Sequence, residues 1–380
     1  MLALIRKLFR VGYDSRKAAE YWSKWQQAVD GERPRYIDWG DHPAVLARMY
    51  EEHFNSRQVT LVHYLRNDFP QFQQSSALSL CCGDGAFENL LVEQGVFGSI
   101  KGLDIAEARV HSARDKYCVD GKALVFEVAD VNEGKFGHQQ YDVVIAKASL
   151  HHIERLETVF AGICSALKPE GRLLTIDFFG PTRFQWSDAQ LVLANQALVE
   201  LPEALRTRLD GTIKSLVTRP TVEEMIEADP SEAVRSSELY GLLRRYFTIE
   251  REFDIGGTLL SLVLTTDILH NFDSESPEHI AYIDKLYDYE RKHIRSRGTD
   301  LGFQIHYCLQ AVTADAKKSS MAAAMNRDMA AFPGMIHKKS RLFSRLFCHC
   351  SSSQTVMPSM MALSVLLARM AWVHNAGSVR

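Results

Sequence analysis

The chain has 380 residues, 46% of them hydrophobic and 24% charged, a globular composition that excludes a largely disordered or collagen-like protein. A formal net charge of -3 gives no electrostatic footprint for nucleic acid as the main partner. Seven cysteines spread irregularly are too few for a disulfide scaffold, and a cytoplasmic location is expected.

Met1 to Arg10 is basic and apolar, but its apolar part is too short for a secretory signal, so no export is expected. Ala18 to Gln27, with Tyr21, Trp22 and Trp25, has helical spacing, and so does Ala44 to Leu65. Together they predict a helical cap ahead of a sheet. Ala77 to Gly85 is an apolar run that ends abruptly in Gly83-Asp84-Gly85, with a helix expected over Phe87 to Gln94. A turn of this kind lets backbone approach a ligand and offers it the N–H groups of the new helix.

Strands are then predicted at Gly98 to Asp104, Ala123 to Val128, Tyr141 to Ala146 and Arg172 to Phe178, with helices at Ala106 to Tyr117 and Arg155 to Leu167 between them. Strand and helix alternating in this way predict an α/β, doubly wound, mostly parallel sheet with helices on both faces. Helices are expected at Asp188 to Glu200, Glu203 to Val217 and Thr221 to Ala228, as an insertion after the fifth strand. Tyr246 to Phe253 and Thr258 to Thr266, flanking Gly256-Gly257, are predicted as an antiparallel terminal hairpin. Helices are expected again at Pro277 to Arg295 and Phe303 to Asp328. Along the chain this gives a cap at 1–70, a core at 71–180, an acceptor-binding insertion at 181–245, terminal strands at 246–270, helices at 271–337 and a mobile tail at 338–380. In that tail Cys348-His349-Cys350 lacks the second ligand pair usual for zinc, so no metal is expected. Met357 to Val373 carries Pro358 and Arg369 and falls short of a membrane span, which leaves only a peripheral membrane contact open.

In an open parallel sheet a ligand lies beyond the carboxyl ends of the strands. Asp84, Gly85, Asp104, Asp130 and Lys147 all stand at those ends. The turn can admit an adenosine and an amino-acid moiety, Asp104 can accept both hydroxyls of a ribose, and Asp130 can accept from an exocyclic amine. A dinucleotide oxidoreductase is the fold-level rival, but no third glycine follows Gly85 at the required spacing.

The ordered set Leu78-Ser79-Leu80-Cys81-Cys82-Gly83-Asp84-Gly85, Gly102-Leu103-Asp104, Ala129-Asp130-Val131, Tyr141-Asp142-Val143-Val144 and Leu167-Lys168-Pro169-Glu170-Gly171 resembles the five signatures of class I S-adenosylmethionine-dependent methyltransferases. It departs from them at Ser79, where the family usually has an acidic residue, and at Cys81, where it usually has glycine. The resemblance implies a Rossmann-like seven-stranded sheet and S-adenosylmethionine as cofactor, released as S-adenosylhomocysteine. It further implies a cofactor site at Cys81, Gly83, Asp84, Gly85, Asp104, Ile105, Asp130, Val131 and Lys147, with the ribose on Asp104. Leu150-His151-His152 follows the fourth strand where an acceptor would approach, so His151 or His152 is expected as general base for O-methylation of a small molecule or glycan precursor. Tyr21, Trp22 and Arg235 are the expected acceptor contacts. The alternative expectation is a catalytically silent methyltransferase-like scaffold or a partner-binding module that keeps the fold.

Overall fold

The strand β1 (Ser76–Leu80) lies at the centre of the sheet, between β2 (Ser99–Asp104) and β4 (Tyr141–Lys147), parallel to both. The structure, a computed structural model, describes residues 14–31, 38–118, 123–294 and 301–310, all within one compact unit. With β3 (Leu124–Val128), β5 (Leu167–Phe178), β6 (Phe247–Gly256) and β7 (Phe303–Gln310) the sheet has seven strands in the order β3-β2-β1-β4-β5-β7-β6. The first five are parallel, and β7 runs antiparallel to both β5 and β6. The order reverses between β1 and β4, and it is there that a doubly wound sheet opens a crevice.

Both faces of the sheet are covered, which explains why its central strands are apolar without alternation. Val143 and Ile145 of β4 join one buried cluster while Val144 and Ala146 join the other. Burying each such Val or Ile is worth about 1.5–3 kcal/mol. Helices α1 (Ser15–Gly31), α2 (Pro43–Phe54) and α3 (Leu61–Asp68) precede the sheet. A single helix was expected over Ala44 to Leu65; instead Asn55, in left-handed conformation at φ 55°, ends α2. The crossovers are α4 (Ala86–Glu93), α5 (Glu107–Tyr117) and α6 (Leu156–Ala166).

The insertion carries α7 (Asp188–Val199), α8 (Glu203–Arg206), α9 (Val222–Ala228) and α10 (Ser236–Tyr246). The predicted helix over Glu203 to Val217 stops at Arg206, because Asp210 and Gly211 form a turn in which Thr212 N and Oγ1 both donate to Asp210 Oδ1. The predicted strand over Thr258 to Thr266 is also incorrect. That stretch holds two short helices, α11 (Leu260–Val263) and α12 (Thr266–Leu269). The buried carboxylate of Glu290, on α13 (Pro277–His293), takes hydrogen bonds from the N–H groups of Gly257, Leu259 and Leu260 and so caps the start of α11. The partner of β6 is β7, within the segment predicted as helical; Phe303, Ile305 and Tyr307 alternate with Gln304, His306 and Cys308 at the strand period. The remainder of that predicted helix, the Met1–Arg10 segment, the Cys348-His349-Cys350 run, the Met357–Val373 stretch and the 338–380 tail lie outside the described residues. Among the described residues no helix is long and apolar enough to cross a membrane.

Candidate active site

At the end of β1 the chain enters left-handed conformations at Cys81 (φ 52°), Gly83 (φ 59°) and Gly85 (φ 75°) before α4 begins. A side chain at Gly85 would place its Cβ 2.6 Å from the Phe126 ring, so both conformation and space require glycine there. Asp104, at the end of β2, accepts from Gly83 N at 2.9 Å and from Ala106 N at 2.8 Å. Each carboxylate oxygen keeps a further lone pair, which fits a ribose diol. Asp130 accepts from Asn132 N and Nδ2 through one oxygen, with Val131 buried beside it. Asp104, Asp130 and Asp177 all act on the Cys81 thiol; burial, then these carboxylates, push its pKa well above the ordinary value. The sequence-predicted strand ends therefore converge on one turn.

Two residues beside this turn carry no sequence motif. Glu88, on α4, receives the Ser79 hydroxyl at 2.6 Å and brings a carboxylate to the position that Ser79 leaves without one. Burial raises it to about 7, and its second oxygen is buried with no hydrogen-bond partner among the described residues. Arg109, on α5, lies over Gly83 and over the adjoining rings of Trp22 and Trp25, at 5.0 and 5.1 Å. Lys147 stands over the Phe87 ring at 5.3 Å.

The second half of the site follows β4. Asp177, fully buried at the end of β5, accepts from Ser149 N, Leu150 N and Phe178 N and lies 2.6 Å from His151 Nδ1. Its carboxylate fixes the backbone of the Leu150-His151-His152 turn and orients the first imidazole. The Nε2 of His151 lies 3.5 Å from Glu232 Oε1, and that of His152 lies 4.0 Å from Glu232 Oε2. Burial would lower His151, but Asp177 and then Glu232 raise it to about 9. Burial, then the charge on His151, holds His152 well below the usual imidazole value. Glu232 rises to about 7 through burial.

His152 Nδ1 lies 3.1 Å from Ser231 Oγ, which itself donates to Asp229 Oδ1 at 2.7 Å. The serine's one hydrogen is thus committed, so the imidazole donates from Nδ1 and carries its lone pair on Nε2. Trp22 closes over His152 edge to face at 5.3 Å, and its Nε1 donates to Ser231 Oγ at 3.4 Å. Tyr21 lines a groove of about 870 Å3 together with Lys17, Lys24, Arg183, Ile226 and Val234, and neither His151 nor His152 is among its lining residues. None of the glycine-turn residues lines that groove.

Arg235 does not reach this region as an acceptor contact. All five of its N–H donors are occupied, by Glu157, Glu238 and the carbonyl of Glu154. The arginine on the groove is Arg183, which is buried and donates to the carbonyls of Asp229, Pro230 and Glu232. It braces the loop that presents Ser231 and Glu232.

Residues 78–175 match the family model described as "Methyltransferase domain". A hybrid PKS-NRPS synthetase, poxE, from Penicillium oxalicum is 26% identical over 144 residues, which is 35% of this chain and 4% of that protein. The malonyl-[acyl-carrier protein] O-methyltransferase of Priestia megaterium is 29% identical over 131 residues, 34% of this chain and 46% of that protein. The chain thus spans less than half the length of these relatives. An S-adenosylmethionine-dependent methyltransferase from Mesorhizobium loti aligns over 64% of this chain and 95% of its own at 16% identity, with a TM-score of 0.39, too low to bear on function. The match to the methyltransferase-domain model covers residues 78–175, and β6 and β7 beyond it complete the seven-stranded sheet expected of class I S-adenosylmethionine-dependent methyltransferases.

Proposed function

We propose that the chain transfers a methyl group from S-adenosylmethionine to a hydroxyl of a small molecule or glycan precursor, with His152 as the general base. When bound, the cofactor supplies an electrophilic sulfonium methyl. Gly83 and Gly85 leave room for it, Asp104 holds its ribose, and Ile105, Asp130 and Val131 border its adenine. Cys81, Asp84 and Lys147 complete the rim. The observation that carries the assignment of the base is the chain Asp229–Ser231–His152, which fixes the imidazole with its lone pair on Nε2. That atom takes the acceptor's proton, and Glu232, at 4.0 Å, steadies the imidazolium that forms. His151, held by Asp177, orients the turn that carries His152. Tyr21 and Trp22 close the acceptor side, and an oxygen acceptor agrees with the Priestia relative being an O-methyltransferase.

Methyl transfer from an in-line sulfonium depends mainly on alignment, so the protein's contribution is to hold donor and acceptor in register and to exclude water. The test is calorimetric titration with S-adenosylmethionine followed by transfer assays on a panel of hydroxylated small molecules. The absence of both heat and thermal shift at millimolar cofactor would remove the reading.

A further inference from the structure

The two imidazoles and the carboxylate of the acceptor face meet a second chemical description. One ligand atom from each of His151, His152 and Glu232 lies within 4.8 Å of the other two. Both rings direct Nδ1 away from the cluster, His151 to Asp177 at 2.6 Å and His152 to Ser231 at 3.1 Å. Both Nε2 atoms then face the two oxygens of the same carboxylate, at 3.5 and 4.0 Å. A metal-ligating histidine characteristically donates its other ring N–H to a carboxylate or a carboxylate-linked group, which sets the tautomer and raises ligand basicity. Here both rings have such a partner, the second through Ser231 and Asp229.

The His152 lone pair and the ionised Glu232 carboxylate are both acceptors, and an ion bound here takes the place of the proton that His151 Nε2 otherwise directs at Glu232. A cation placed there converts a repulsive pair into two bonds. We propose that His151, His152 and Glu232 form a binding site for one divalent transition-metal ion of the zinc and cobalt type. Two imidazole nitrogens with one carboxylate are the donors of such borderline ions, whereas magnesium and calcium take oxygen ligands. Phe178 stands edge to face on His151 at 6.3 Å and Trp22 on His152 at 5.3 Å, so the rings have little room to turn away. The ion and the acceptor's proton require the same lone pair on His152. Metal loading therefore switches off methyl transfer, a consequence that rests on the function proposed above, whereas the site itself does not.

The test uses the untagged full chain carrying Cys348→Ser and Cys350→Ser, so that those thiols take no metal, titrated with Co2+ and followed by its visible d–d absorption. One equivalent is expected to bind, and affinity should fall at least about tenfold in His152→Ala and in Glu232→Gln, with a similar loss in Ser231→Ala. No cobalt spectrum, or a spectrum of equal affinity in His152→Ala and Glu232→Gln, overturns the site. Glu232→Gln keeps the side-chain shape and decides the matter should His152→Ala fail to fold. Zn2+ added to the same protein is expected to suppress turnover, reversibly with EDTA; full turnover at saturating zinc overturns the competition. Cobalt bound by a protein that transfers no methyl group to any acceptor keeps the metal site and removes the methyl-transfer reading.

Discussion

Ser231 Oγ lies 2.7 Å from Asp229 Oδ1 and 3.1 Å from His152 Nδ1, and this pair of distances sets which imidazole nitrogen carries the lone pair. Removing the hydroxyl frees the ring to adopt the other tautomer. Ser231→Ala is expected to lower kcat by about ten- to a hundredfold, the range for losing an orienting partner. His152→Ala should lose about 10²–10⁴-fold, the range for a general base. S-adenosylmethionine affinity should be unchanged in both. A Ser231→Ala enzyme with altered KM and unaltered kcat would place the serine in acceptor binding instead.

Glu88 yields a pH dependence with a definite sign. Its folded pKa of about 7 lies above the ordinary 4.5 because burial disfavours the charged form. The neutral form's advantage is therefore fully present below pH 4.5 and is lost as pH rises toward 7, a displacement of about 3 kcal/mol. Glu88→Gln stays neutral throughout. The difference in Tm between this variant and the native chain should move in the variant's favour between pH 4.5 and 7 and then level off. A difference that is constant with pH would show that the carboxyl titrates normally.

The glycine turn and the carboxylates at the strand ends are legible because each stands close in sequence to the apolar run that announces it. Asp104 and Asp130 each end a short apolar strand, and the glycine turn precedes them in the chain. Asp177 ends a strand in the same way, yet its role depends on bonds to Ser149, Leu150 and His151, 26 to 28 residues earlier, which only the β4–β5 pairing brings near. Ser231 and Glu232 come from the insertion, and no local pattern couples them to His152. The partners of Arg235 and Arg183 are illegible for a related reason: which acceptors hold an arginine's donors depends on contacts distant in the chain. The strand β7 differs, since Phe303 to Gln310 alternates at period two yet lies within the stretch expected as one helix over Phe303 to Asp328.

Cys81 and Asp104 should respond in opposite ways. Cys81 has φ 52°, a conformation that costs an L-residue roughly 1–2 kcal/mol and glycine nothing. Cys81→Gly is expected to keep Tm equal or higher and to retain S-adenosylmethionine binding. Asp104→Ala leaves the N–H groups of Gly83 and Ala106 without their acceptor, at about 1–3 kcal/mol for each such buried group. That variant should lose detectable cofactor binding by calorimetry while keeping its helical circular dichroism. Loss of binding in Cys81→Gly would show that the thiol is itself a cofactor contact.

Arg109 couples the cofactor turn to the N-terminal helix. Its guanidinium rests on Gly83 and over the adjoining Trp22 and Trp25 rings, so a ligand entering beside Gly83 must change the surroundings of both indoles. Saturating S-adenosylmethionine is therefore expected to shift or quench tryptophan emission, and the signal should be lost in a Trp22→Phe, Trp25→Phe double variant that still binds by calorimetry. Each ring contributes about 0.5–1 kcal/mol of cation–π attraction at an exposed site and more where water is excluded. Arg109→Ala should accordingly loosen α1 over the turn, seen as faster amide exchange in Ser15–Gly31 with the sheet unchanged. Emission that stays constant at a cofactor concentration shown by calorimetry to saturate the protein would mean that α1 does not sense the cofactor site.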